Sequence, residues 1–142
     1  MRMSLEQEIL AVAQKARAFA TQYYKALDSE MPEERLQSMT SLYVPQSVIS
    51  WNGHSSATDP LGFLEQMFAQ MPQTTHTLVT LDAHPLPGSD GKGDAFIINI
   101  TGKVSYNNEA AKLFFQTMVV RQAPGDSKHY LVHDEFRWLA ER

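Results

Sequence analysis

From Thr75 to its end the chain reads as four long runs of strand-forming residues with little but tight turns between them. The runs are Thr75 to Leu86, Asp94 to Tyr106, Ala111 to Gln122 and His129 to Leu139, divided by Pro87-Gly88-Ser89-Asp90-Gly91, Asn107-Asn108 and Pro124-Gly125-Asp126. Parallel neighbours need a crossover of about a dozen residues or more, so strands joined by turns this short run antiparallel, side by side. The second half is therefore a four-stranded meander. Any helices come before it.

The first half supplies them. Leu5, Ile9, Val12, Ala16, Phe19, Tyr23 and Leu27 recur at steps of three and four, which places them on one face of a long helix. Ser4, with Gln7 three residues on, suits a capping box. A second helix is predicted from Pro32 to about Tyr43, with Leu36, Met39 and Tyr43 on one face, ended by Pro45. Val48 to Trp51 reads as a short strand, and Asn52-Gly53 as a hairpin turn returning the chain through His54 to Ala57. Asp59 caps a third helix that has Pro60 in its first turn, buries Leu61, Leu64, Met67, Phe68 and Met71, and ends at Pro72. The expected architecture is α+β: a single domain over residues 1–142, in which three helices pack into a strongly bent antiparallel sheet.

The two faces of that sheet carry the functional information. Side chains alternate along a strand, so Tyr130, Val132, Phe136 and Trp138 share one face of the last strand and His133, Glu135 and Arg137 the other. In Phe96-Ile97-Ile98-Asn99-Ile100 and in Phe114 to Val120, apolar residues occupy both parities. Three helices cover only one side, so Ile97, Phe115 and Val119 form an apolar patch on the other, the mark of an interface.

Composition narrows the partner. A formal net charge of −4 offers no overall attraction to phosphate backbones or anionic lipid, so direct nucleic-acid binding by this chain alone is not expected. There is no cysteine for a disulfide or a thiolate metal site, which fits a reducing compartment. No apolar run approaches the roughly 20 residues that span a bilayer. Met1-Arg2-Met3-Ser4 leads into an amphipathic pattern rather than the apolar block of a signal peptide, so an intracellular protein is expected.

The order helix, helix, short hairpin, helix, four long strands is similar to the nuclear transport factor 2 superfamily. Tyr23 to Asp28, Leu42-Tyr43, Trp51-Asn52-Gly53, Phe114-Phe115-Gln116 and Asp134 to Trp138 fall in the order and spacing of its transport branch, over nearly the whole chain. Trp51-Asn52-Gly53 together with Leu81 to Pro85 most resembles the related export proteins. The resemblance implies a cone-like fold and a non-catalytic subunit of a nuclear mRNA export receptor. It also implies a heterodimer with a larger Tap/Mex67-type subunit, through which phenylalanine-glycine nucleoporins are mainly met, in nucleus, nuclear pore and cytoplasm. The partner-binding set is Asp82, Asn99, Ile97, Phe115, Thr117, Val119, Glu135 and Arg137, with Asp82 and Arg137 at positions that match interface-facing ones in the export proteins. A homodimeric import factor for Ran-GDP is the first alternative. Against it, Asn52 and Tyr106-Asn107-Asn108-Glu109 stand where the import factor has acidic residues.

The second alternative is a small-molecule isomerase or dehydratase, since many relatives work a proton with a pocket acid and a tyrosine. Tyr23, Tyr43, Asp82, His84, His133 and Asp134 are the residues to weigh. Asp134 has inward parity, but the expectation is a hydrogen-bonded structural acid. Tyr23 and Tyr43 are expected on helical core faces with their hydroxyls at a pocket rim. Trp51, Met67, Phe68, Met71, Phe114, Met118 and Trp138 are expected to fill the cone and leave little room for substrate. No catalytic residue and no cofactor is assigned. His129 and His133 would lie about 13 Å apart on a strand at about 3.3 Å per residue, so no metal site is expected and all five histidines are read as exposed or at a rim. The charges from Ser29 to Arg35 read as a solvated start to the second helix.

Overall fold

The computed structural model describes residues 4–56, 59–87 and 94–139. The elements are α1 (Leu5–Leu27), α2 (Pro32–Thr40), β1 (Tyr43–Trp51), β2 (His54–Ser55), α3 (Pro60–Gln70), β3 (Thr74–Pro85), β4 (Ala95–Tyr106), β5 (Lys112–Gln122) and β6 (His129–Trp138). They form one open sheet in the order β2-β1-β6-β5-β4-β3, with the helices on one side. The expected meander is there, β3 to β6 pairing antiparallel in sequence order. What the sequence did not signal is that β1 joins β6 in parallel, Ile49 opposite Asp134 and Trp51 opposite Phe136. Parallel neighbours come from distant parts of the chain, so no local turn marks them. Residues 88–91 of the turn expected after β3, and Ala57 at the end of the hairpin's return, lie outside the described residues.

Local chemistry accounts for the ends of the elements. In the capping box of α1, Gln7 donates its backbone N–H to Ser4 Oγ at 3.2 Å and the Ser4 N–H returns to Gln7 Oε1 at 2.9 Å. The buried stripe of α1 begins only at Val12; Leu5 and Ile9 are 71% and 51% exposed, so the apolar pattern runs on past the core. Helix α2 stops at Thr40 rather than near Tyr43. Pro45 disfavours helical backbone at Val44, and Leu42 and Tyr43 turn instead to β6, where the Leu131 N–H reaches the Leu42 carbonyl at 2.7 Å. Asp59 caps α3 by accepting the Gly62 N–H at 3.0 Å. At the hairpin, Asn52 and Gly53 both take positive φ, 51° and 88°, as a two-residue turn between paired Trp51 and His54 requires.

Two expected surface groups are interior. The Arg35 side chain, read as part of a solvated run, is buried and donates to the carbonyls of Phe68 at 2.9 Å, Met71 at 2.8 Å and Pro72 at 3.2 Å. It closes the carboxyl end of α3, where backbone carbonyls lack helical partners and the helix dipole favours a cation. The His76 ring is also buried, with Nδ1 2.5 Å from Asp28 Oδ1 and the rings of Tyr24 and Phe114 against it at 5.1 and 5.4 Å. Asp28 further accepts the His76 N–H at 2.9 Å and the Thr74 hydroxyl at 2.8 Å, which ties the end of α1 to the start of the edge strand.

Candidate functional site

The two sides of the sheet are built for different purposes. On the helix side, Phe96, Ile98, Ile100 and Val104 of β4 and Phe114, Gln116, Met118 and Val120 of β5 are buried in strict alternation, and α1, α2 and α3 close over them. On β6 the alternation breaks once. His133 pairs with Val119 but Leu131 with Val120, so Val132 is an extra residue in the strand. Leu131 rather than Tyr130 or Val132 therefore points inward, which corrects the simple period-two reading; Asp134 and Phe136 keep the expected inward parity.

Asp134 sits at the middle of this interior and is wholly buried. Its Oδ2 accepts the hydroxyls of Tyr43 at 2.7 Å and Tyr23 at 2.9 Å, and its Oδ1 accepts the Gln116 amide at 2.7 Å. Gln116 also donates to the Tyr23 hydroxyl at 2.9 Å and accepts the Tyr24 hydroxyl at 2.5 Å. Burial pushes the Asp134 carboxyl above its ordinary value, against the three hydrogen bonds that favour its charged form. Burial, and then the Asp134 charge, also raise the phenols of Tyr23, Tyr24 and Tyr43, which stay protonated as donors. This is the structural acid expected of Asp134, but the tyrosines differ from expectation. Tyr43 is on β1 rather than a helix, and the hydroxyls of Tyr23 and Tyr43 are core donors, not rim groups. Gln116 was missed as their link; its signal is a lone polar side chain at inward parity between Phe114 and Met118.

The bulk expected in the cone is mostly there. Trp51 stacks on Phe136 with ring centres 4.1 Å apart, and Phe136 on Phe114 at 5.2 Å, while Met118 and Phe68 are buried beside them. Met67 and Met71 are half-buried against the core. Trp138 is not part of it. It is 39% exposed at the rim, its indole N–H on the Tyr106 hydroxyl at 3.0 Å and Lys112 Nζ over its ring at 4.3 Å. Asn52 fixes the same rim by accepting the Trp138 backbone N–H at 2.8 Å. Four surface clefts of about 260–340 Å³ lined by described residues lie between elements, and Asp134 lines none of these four. No group of three metal-ligating side chains occurs among the described residues.

None of the described helices lies over the opposite side of the sheet, and the sequence-predicted partner-binding residues meet there in three adjacent rows. Register places Asp82, Asn99, Thr117 and Glu135 across four strands in the middle row. One flanking row is Thr80, Thr101, Phe115 and Arg137, and the other is His84, Ile97, Val119 and His133. The extra residue Val79 in β3 sets this alignment, since Leu78 pairs with Gly102 but Thr80 with Thr101. Asn99 accepts the Thr117 hydroxyl at 2.9 Å in the middle of the face, and Thr80 and Thr101 pair at 2.5 Å. Ile97 and Val119 are half-buried by their neighbours, and Phe115 is 39% exposed. His84 and His133 belong to this outer face, separated by the sheet from Asp134.

A three-helix layer inside an open six-stranded sheet, with a plugged cone and a bare outer face, defines a nuclear transport factor 2-like fold. Residues 11–129 match the family described as nuclear pore RNA shuttling protein Mtr2, and the chain belongs to that family. A chain of the crystal structure of the Candida albicans Mtr2–Mex67 M domain complex superposes with a TM-score of 0.75 at 16% identity, covering 92% of this chain and 98% of that one. Candida albicans Mtr2 gives 0.73 at 18% identity, over 92% and 97%. Nuclear transport factor 2 from Cryptosporidium parvum gives 0.69 at 21%, over 90% and 94%. These likenesses establish the fold. No curated protein sequence matches the chain.

Proposed function

We propose that this chain is the small, non-catalytic subunit of a nuclear mRNA export receptor and that it pairs through its outer sheet face with a larger Mex67-type subunit. The observation that carries this is the three-row patch, where Ile97, Phe115 and Val119 surround a polar centre on a side of the sheet that none of the described helices covers. Apolar surface of this kind gains about 25 cal/mol per Å² on leaving water, and two sheets meeting face to face remove a large area at once. Family membership and the solved Mtr2–Mex67 M domain complex support the choice of partner. In this reading the small subunit covers the partner's sheet and shuttles with it through nuclear pores between nucleus and cytoplasm. Nucleoporins are engaged mainly by the larger chain, and no cofactor is needed.

The Asp134 cluster supports the non-catalytic reading. A general acid or base must reach a substrate proton, whereas each Asp134 oxygen is already taken by protein donors inside a filled core. Calorimetric titration of the chain with a Mex67-type subunit tests the reading. A one-to-one complex is expected, and no heat of binding with tight self-dimerisation instead would overturn it.

A further inference from the structure

The outer face carries a charge layout that bears on which sheet it accepts. Asp82 and Glu135 stand at opposite ends of the middle row, about 14 Å apart at three strand spacings of about 4.8 Å. Arg137 lies at one corner, two residues along β6 from Glu135, and the histidines His84 and His133 hold the two far corners. Glu135 has His133 Nε2 3.8 Å away; neither Asp82 nor Arg137 has an ion-pair partner among the described residues.

Suppose a second copy packs on this face, with the two-fold axis in the plane between the sheets and passing through the Asn99–Thr117 pair. With the axis along the strands, Asp82 of each copy meets Glu135 of the other, and Arg137 meets Thr80. With the axis across the strands, Asp82 meets Asp82, Glu135 meets Glu135, and Arg137 meets His133. With the axis on either diagonal, as in orthogonal packing, both acids land on the central strands near Ile97 and Val119 or Thr101 and Phe115, while Arg137 meets Arg137 or His84. In each case the acids are left against acids or against side chains that carry no positive charge, and a charge buried without an ionic partner opposes association strongly.

We infer that Asp82 and Glu135 select an unlike partner, a sheet face with a basic side chain opposite each of them and an acidic one opposite Arg137, and that they disfavour pairing with a second copy of this chain. The partner class rests on the export-receptor reading above; the disfavoured self-pairing does not. Like charges set face to face suppress a wrong partner, and complementary ones fix the register of the right one.

Asp82→Lys separates the two. With the axis along the strands it puts a lysine opposite Glu135 twice in a self-dimer, while it places like charges against the proposed partner. Sedimentation of the chain alone, and titration with a Mex67-type subunit, should be run for wild type, Asp82→Lys, Glu135→Lys and the double variant, each checked for folding by circular dichroism. The expected results are no discrete wild-type dimer, a tenfold or greater gain in self-association for each single variant, loss of that gain in the double variant, and at least tenfold weaker binding of the Mex67-type subunit by both single variants. A discrete wild-type dimer, or single variants that self-associate no more than wild type, overturns the inference. So does unchanged affinity of both single variants for a Mex67-type subunit that binds wild type. Failure of wild type to bind that subunit would overturn the export reading instead, and the sedimentation arm would still decide the matter of self-pairing.

Discussion

The Tyr43 hydroxyl lies 2.7 Å from Asp134 Oδ2, joining the first strand to the last across the parallel pairing of β1 and β6. The residues are 91 positions apart, so the bond closes the sheet's second half against its first. Tyr23 brings α1 to the same oxygen, and one buried carboxylate thus holds a helix and two strands in register.

Asp134→Ala would leave two buried phenols and the Gln116 amide without an acceptor. An orphaned buried donor costs about 1–3 kcal/mol, partly offset here by removing a buried charge, so a net loss of about 3 kcal/mol is expected. Urea unfolding measures it. Asp134→Asn, which keeps an acceptor for the phenols, should lose much less and should leave partner affinity unchanged.

The same carboxyl gives a pH signature. Burial raises its folded pKa above the unfolded value, so the folded state binds the proton more tightly and stability falls as pH rises from the ordinary aspartate range to the raised value. Wild type should therefore gain stability relative to Asp134→Asn on acidification through that window. Unfolding midpoints of the two proteins across acidic to neutral pH check the sign.

Arg35 is irreplaceable by lysine for a geometric reason. Its planar fork reaches three carbonyls at the end of α3, and an ammonium on a flexible stem cannot span them. Arg35→Met should destabilise by about 2–4 kcal/mol, and Arg35→Lys should recover only a part. Thermal melts of both variants give the ranking.

Gly102 leaves room for the Phe114 ring. A Cβ at this position would press on the Thr77 carbonyl oxygen and come within 2.9 Å of two Phe114 ring atoms. Gly102→Ala is expected to cost about 1–3 kcal/mol by forcing backbone or ring to move, measured by denaturant unfolding.

Much of this was legible in the sequence, for identifiable reasons. Tight turns with positive φ announce themselves, as Asn52-Gly53 does, and two-residue alternation puts Glu135 and Arg137 on the outer face of β6, while the row that Asp82, Asn99, Thr117 and Glu135 share is set by register. Features set by distant neighbours were not. The extra residues Val79 and Val132 shift parity without any local sign, Trp138 leaves the core because the rim ends there, and Arg35 is drawn inward by carbonyls more than thirty residues away. His76 is the same case, an ordinary polar residue until Asp28 and Tyr24 close around it.

Heterodimer formation is read from the mass of the particle purified when this chain is coexpressed with a Mex67-type subunit, measured by light scattering after gel filtration. A single one-to-one heterodimer is expected, with the chain alone poorly soluble or non-specifically associated. Arg137→Asp should weaken the complex far more than tenfold, with part of the loss restored by a charge reversal in the partner. A chain that elutes as a stable, soluble monomer beside a separate Mex67-type subunit would contradict heterodimer formation.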